Sequence, residues 1–421
     1  MLGSGNKTLV DARIPRLGPR SRYVFILLAI LGVLCSPRLA AQEPAANKVT
    51  VRTVREDAVG GLVAAFSFED GLTLQVGQSK RRVIELRDLV RVSTGLRMTR
   101  PRASEGVLRL AGGDFLYGRP AETVEGVVSL ETPGLGTVRV PLDTIASWEP
   151  PAFHLNGGAS RWKAVLDNQP LDEDVVLLSN GDVARGFVAA IDQTGVTLER
   201  DAEQTVISTE LVAAVRLVEP APTALDRPYV VLQLADSGRL TVTDLNWSGG
   251  SIQVKPRFGS PLRINPDRVV RVDVFGGRWE RLPTRRPISD THTPMLALSW
   301  PYQTNRNVRG GPLVVAGERF EHGIGVHSRS SLTYALDEDA EEFVTSFGMD
   351  DDSGPLADVD VSILVDGSPR YQAKHVRRGR LHGPVRIDVK QAKQLELIVD
   401  FSANGDVQDR FNWIAPALIR R

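Results

Sequence analysis

Short apolar runs separated by Gly-, Asn- and Asp-bearing corners fill the chain from Val49 to about Phe275, and one arrangement of them recurs. The clearest copy is VVLLSNGDVARGFVAAIDQTGVTLER (175–200) followed by TVISTELVAAVRLV (205–218). It predicts a strand, a tight turn at Asn180-Gly181, a second strand, a turn at Gly195, a third strand, and two short strands around Thr209-Glu210. Five short strands in so little chain predict a small barrel, and recurrence at this period predicts an array of them. A second copy runs from Val107 to Trp148, where Gly113-Asp114 followed by Gly118 keeps the spacing of Gly181-Asp182 followed by Gly186. Weaker copies occupy about 62–92, ending VIELRDLVRV, and about 229–275, ending LRINPDRVVRVDV.

The repeats resemble SH3-like or Sm-like barrels in architecture, and four of them, or two double units, could stack into an all-β array. The expected organisation is repeats one and two over 49–150, a linker or insertion over 151–174 with Asn156-Gly157-Gly158 and Trp162, and repeats three and four over 175–278. The segment WERLPTRRPISDTHTP (279–294), charged and rich in proline, reads as a linker to a final domain at 295–421. In that last domain the strands lengthen. Val359, Val361, Ile363 and Val365 share one face of VDVSILVDG (359–367), and Leu395, Leu397, Val399 and Phe401 share one face of LELIVDF (395–401). LTYAL (332–336) and VRIDV (385–389) keep the same two-residue period, so the fold class is all-β and the final domain an antiparallel sandwich.

Composition narrows the function. The chain has 51 basic and 51 acidic residues, but residues 1–41 hold six of the basic ones and only one acid, Asp11. The remainder carries 45 basic against 50 acidic, a net of −5, which disfavours nucleic acid as a partner. The same leading segment has basic residues up to Arg22, an apolar run from Tyr23 to Cys35, and the small pair Ala40-Ala41. That layout predicts a secretory signal peptide over 1–41. Its thirteen-residue run rises only ~20 Å as a helix against a ~30 Å hydrocarbon core, so a membrane contact would come only through an uncleaved leader. Cys35 is the only cysteine, which excludes disulfides, thiolate nucleophiles and cysteine-bound zinc after cleavage. An exported protein at the periplasm, cell surface or exterior is expected.

Four motifs in the last domain carry a family resemblance: GIGVHSRSSLTYAL (323–336), FGMDDDSG (347–354), VDVSILVDG (359–367) and LELIVDFSANGDVQDRFNWIAPAL (395–418). Together they resemble the NPCBM family, the novel putative carbohydrate-binding module, over about 300–421. The resemblance implies a galactose-binding-like jelly-roll sandwich, a galactose-type glycan or glycoconjugate as partner, and a structural calcium ion. The family's Gly-x-Gly-x-His falls on Gly323, Gly325 and His327, and its acidic turn on Asp350, Asp351 and Asp352. Its closing Asp-His-x-Asp-Trp falls on Asp409, Arg410, Phe411, Asn412 and Trp413, so Arg and Asn stand where the family has His and Asp.

A sugar site needs an apolar face for the ring and planar polar groups for neighbouring hydroxyls. Trp413, Tyr371 and Phe411 are the aromatic candidates, and His327, Asp409, Arg410 and Asn412 the polar ones. The same residues admit a structural role, Trp413 as a core anchor and His327 as a buried imidazole locking the turn. Calcium wants clustered oxygens, which Asp350 to Asp352 and Asp406 in ANGDVQD (403–409) could supply, or these could be solvated turn acids. No G-x-S-x-G, H-E-x-x-H, Walker loop or dinucleotide fingerprint occurs, and His154 is the only histidine in the repeats. The expected function is that of an exported, non-catalytic protein whose last domain binds carbohydrate. The alternative is a structural protein of the cell envelope in which the sandwich holds a protein partner.

Overall fold

A computed structural model describes residues 48–56, 58–151, 153, 172–218, 225, 228–295 and 298–421. The leader with Cys35, and His154 and Trp162 of the insertion, lie outside the described residues. The first repeat consists of β1 (Lys48–Thr53), β2 (Val59–Ser67), β3 (Gly71–Val76), β4 (Lys80–Ile84) and β5 (Leu89–Ser93). The second is β6 (Gly106–Leu110), β7 (Phe115–Val124), β8 (Val127–Thr132), β9 (Gly136–Pro141) and β10 (Ile145–Glu149). The third is β11 (Asp174–Leu178), β12 (Val183–Ile191), β13 (Gly195–Arg200), β14 (Glu203–Ser208) and β15 (Val212–Arg216). The fourth is β16 (Tyr229–Leu234), β17 (Arg239–Ser248), β18 (Ser251–Pro256), β19 (Leu262–Ile264) and β20 (Val269–Phe275).

All four repeats pair their strands alike: first with second and fifth, second with third, third with fourth, every pair antiparallel. A single 3-10 turn joins the fourth strand to the fifth in each. The second strand also bends at one place in each, through a register shift at Val63/Ala65, Pro120/Glu122, Val188/Ala190 and Val242/Asp244. Such a bulge lets one strand serve both halves of a small barrel. Two residues before it, Gly61, Gly118 and Gly186 lie against the third strand, where an added Cβ would stand 2.9, 2.5 and 2.5 Å from the carbonyl oxygens of Gln75, Glu131 and Glu199. This close approach is the physical reason for the recurring glycine.

The repeats associate in nested pairs. The fifth strands of the first and fourth meet at Val92↔Val272, and those of the second and third at Trp148↔Val215. Each of these four residues is the fourth of its strand, so both pairs use the same position. The fourth repeat also pairs Trp247 with Phe66 of the first and supplies Thr241, whose N–H and Oγ1 donate to the buried Asp114 carboxylate of the second at 2.9 and 2.7 Å.

The last domain has two facing sheets. One is ordered β23 (Gln303–Thr304), β26 (Gly323–His327), β33 (Arg410–Arg420), β28 (Ala340–Met349), β31 (His382–Asp388), with β21 (Trp279–Arg281) also on β33. The other is ordered β22 (Ser289–His292), β27 (Ser330–Ala335), β32 (Gln394–Phe401), β29 (Val359–Val365), β30 (Ser368–Val376). The hairpin β24 (Leu313–Val315) and β25 (Glu318–Phe320) completes it. The chain alternates between the sheets from β26 to β29 and from β31 to β33, the path of a jelly roll. The alternating faces of β29 and β32 supply Val359, Val361, Ile363, Val365, Leu395, Leu397 and Val399 to the core between the sheets.

The segment 279–294 is not a linker. Trp279, Glu280 and Arg281 pair with Ile419, Leu418 and Ala417, and Ser289 to His292 pair with Thr333 to Ser330, so both ends of the segment are sandwich strands. Trp279 is buried with Val54 and Val90 of the first repeat and Val344, Ala417 and Ile419 of the sandwich. Beside this core, Arg278 donates to Arg420 O (2.7 Å), Asp88 Oδ1 (3.1 Å) and Glu341 Oε2 (3.0 Å), tying the first repeat to two strands of the last domain.

Candidate functional site

At one end of the sandwich, the turn from β26 to β27 meets the loop after β22 and the loop from β32 to β33. His292 Nδ1 accepts from the Trp300 N–H at 3.2 Å, which leaves the His292 hydrogen on Nε2. That Nε2 donates to Ser328 O at 3.1 Å, and His327 Nδ1 donates to the same oxygen at 2.8 Å. The Trp300 and His327 rings stack with centroids 5.6 Å apart and planes 11° apart, while His292 stands edge-on to His327 at 5.9 Å. Burial pushes the His327 imidazole below its usual range, so it is neutral at pH 7. With its proton on Nδ1, its Nε2 is an acceptor.

Polar groups surround this floor. Ser328 Oγ donates to Asp409 Oδ2 at 2.7 Å, and Asp358 N–H donates to Asp409 Oδ1 at 3.1 Å. Burial nonetheless pushes the Asp409 carboxyl up to about 6. Arg329 is 55% exposed at its side chain; its Nε lies 3.8 Å from Asp400 Oδ1, and its guanidinium sits over the Phe401 ring at 5.8 Å. Asp406 Oδ2 accepts from the Met295 N–H at 2.9 Å, bringing the two loops together. Trp300 and Phe401 are both half-buried. The arrangement offers two half-buried aromatics, a planar cation and two carboxylates at one rim, above the buried imidazole of His327 that locks the turn, and such groups can recognise a ring with several hydroxyls.

Of the sequence candidates, His327, Asp406 and Asp409 come to this end, Asp409 as a fully buried anchor for Ser328. The others do not join them. β33 is a central strand between β26 and β28, so Phe411 and Trp413 point into the core and are fully buried. The Trp413 ring lies 5.2 Å from Phe411 and 5.7 Å from Phe347. Asn412, on the opposite face, is also buried and donates to Asp350 Oδ2 at 2.6 Å. Arg410 turns to the carbonyl and carboxylate of Asp352, and Tyr371 packs edge-on against Phe347 at 5.9 Å. Trp413, Asn412, Arg410 and Tyr371 therefore hold the sandwich together and do not line the rim.

The four calcium candidates do not converge as one set of ligands. Asp350 accepts from Asn412, Asn307 (3.4 Å) and the Asp352 N–H (3.1 Å); Asp351 accepts from the N–H groups of Ala316 (2.9 Å) and Gly317 (2.7 Å). Asp352 faces Arg309 and Arg410, and Asp406 faces Met295. Asp350 and Asp352 lie side by side, but Asp351 and Asp406 are each turned to separate backbone donors, whereas calcium needs six to eight converging oxygens. Among the described residues no group of three or more His, Cys, Asp or Glu is arranged to hold a metal.

Sequence reasoning missed His292, Trp300, Arg329 and Phe401 as site residues. His292 lay in the supposed linker, and Ser289–His292 is polar throughout, so β22 carries no apolar alternation to announce it. Trp300, an aromatic just before Pro301 in an otherwise irregular stretch, was the available signal.

The fold and this rim define a jelly-roll sandwich with aromatic and polar groups gathered on the loops at one end. Residues 285–419 match the family model described as the NPCBM/NEW2 domain, which confirms the resemblance carried by the four motifs and begins inside the segment that supplies β22. A comparison with curated proteins finds no match. Among solved structures, the chain is similar to a CBM51 module of Clostridium perfringens GH95 in complex with methyl-galactose, at 18% identity and TM-score 0.31, over 33% of this chain and 99% of that one. It is also similar to tandem CBM51 modules from Streptococcus pneumoniae, at 13% identity and TM-score 0.31, over 59% and 88%. A third, the CBM51-2 and INT domains of Clostridium perfringens ZmpB with GlcNAc, matches at 21% identity and TM-score 0.31, over 42% of this chain and 37% of that one. The match to the NPCBM/NEW2 model does not extend to the four repeats.

Proposed function

We propose that the last domain binds a carbohydrate, of galactose type, at the rim built by His292, Trp300, His327, Arg329, Asp400 and Phe401, and that the chain acts without catalysis as an exported glycan-binding protein. The observation that carries this is the Trp300–His327 stack beside Arg329 and Phe401, within the residues matched to the NPCBM/NEW2 domain. An aromatic face can take the C–H face of a sugar, while Arg329 and Asp400 can pair with adjacent hydroxyls. Export is supported by the basic and apolar leader. Among the described residues no helix is long and apolar enough to cross a membrane.

A glycan array probed with the full chain tests this. The reading expects galactose-bearing glycans to be retained by the unmodified chain and lost by Trp300→Ala and Arg329→Ala variants that keep its melting temperature. An array silent for the unmodified chain, or equal retention by both variants, would refute it.

A further inference from the structure

A second surface, far along the chain from the sandwich rim, has a different chemistry. Between the second and third repeats lies a cavity of about 1050 Å³. Its apolar part is contributed by both repeats: Leu142 and Ile145 from the turn into β10, Val188 of β12, and Leu217 and Val218 after β15. Phe187, at the start of the bend in β12, stands in the same cavity with 63% of its surface exposed, and Val218 with 46%.

The rim is acidic on both sides. Glu125 and Asp143 come from the second repeat, and Asp172, Glu173 and Asp201 from the third. Among the described lining residues Arg200 is the only cation, with its Nε 3.8 Å from Asp201 Oδ2. No ion pair is formed by Glu125, Asp143, Asp172 or Glu173 with a described residue. Four carboxylates with no described ion-pair partner, around one concave apolar surface, focus a negative potential there. The sandwich junction differs: the guanidinium of Arg278 already has carboxylate partners in Asp88 and Glu341.

We infer that this groove docks a basic polypeptide segment carrying apolar side chains. The charge excludes phosphate backbones and anionic lipid surfaces, which the rim would repel. A bare divalent cation is a poor fit, since the carboxylates are spread along the rim and no described group of three converges on a metal. A chain that presents Lys or Arg to the rim and an apolar side chain to Phe187 and Val218 meets both features at once, and exposed aromatics in a concave patch are the usual anchors of such contacts.

The test uses the full chain and a fluorescein-labelled heptapeptide of alternating lysine and valine, followed by anisotropy, with a glutamate–valine peptide as control. The lysine peptide should bind at about 50 mM salt and weaken steeply by about 500 mM, while the glutamate peptide should not bind. Glu125→Lys combined with Asp143→Lys, and separately Phe187→Ser, should each weaken binding roughly tenfold or more. All of these residues are exposed or on the rim, and a melting curve matching the unmodified chain checks that each variant folds. No binding of the lysine peptide, equal binding of both peptides, or variants that bind as well as the unmodified chain would overturn the assignment. Self-association of the chain alone that Phe187→Ser abolishes would give the groove to a second copy, and would overturn it too.

Discussion

Ser328 Oγ donates to the buried carboxylate of Asp409 at 2.7 Å, and the Ser328 carbonyl accepts from both imidazoles of the rim. The last residue before β33 thus holds the turn on which His327 and Arg329 stand. Its carboxyl is pushed up to about 6 by burial. An acid whose folded value lies above its unfolded one destabilises the fold once ionised, so stability from this group falls as pH rises through about 4 to 6 and is recovered in acid. Chemical denaturation of the unmodified chain and Asp409→Asn at about pH 5 and about pH 7 should show the unmodified chain gaining about 1 kcal/mol relative to the variant at the lower pH. A pH-independent difference would contradict the assignment.

Trp413 and Trp300 should separate stability from binding. Trp413 is fully buried against Phe347 and Phe411, and Trp413→Ala should cost about 3–5 kcal/mol, read as a lowered denaturation midpoint. Trp300 is half-buried at the loop end, and Trp300→Ala should shift the midpoint far less while removing sugar binding.

The bulge glycines should resist even one methyl group. Gly118→Ala and Gly186→Ala each place a Cβ 2.5 Å from a third-strand carbonyl oxygen, and a cost of about 1–3 kcal/mol is expected from forcing the strands apart. Equilibrium unfolding of the two variants checks this; Gly60→Ala, with nothing within 4 Å of the added atom, is the control.

The sandwich should depend on the strands before residue 295. A fragment spanning 295–421 lacks β21 and β22 and exposes the edges of β33 and β27 that they cover. It should be unstable or aggregate, whereas one starting at Arg278 should give a cooperative melt.

The repeat was legible in the sequence because its devices are local: the turn at Asn180-Gly181, the spacing to Gly186, and the polar corner before each fifth strand. The pairing of the first repeat with the fourth was not, since Val92↔Val272 joins strands far apart in the chain and nothing in either strand marks its mate. The same gap explains the site. Period-two alternation identified β29 and β32, but on β33 both faces are covered: Phe411 and Trp413 face the core between the sheets, the hairpin at Leu313–Phe320 packs on the other face at Ile414, near the buried Asn412, and a single strand's pattern cannot reveal that cover. His327 was found from its motif; its partners His292 and Trp300 reach it only through tertiary contacts.

Titration calorimetry of methyl-galactose onto the full chain addresses the central claim most directly. Saturable heat with the unmodified chain that vanishes in Trp300→Ala, with the fold retained, is the predicted result. No heat with the unmodified chain, or undiminished binding after loss of the Trp300 ring, would contradict it.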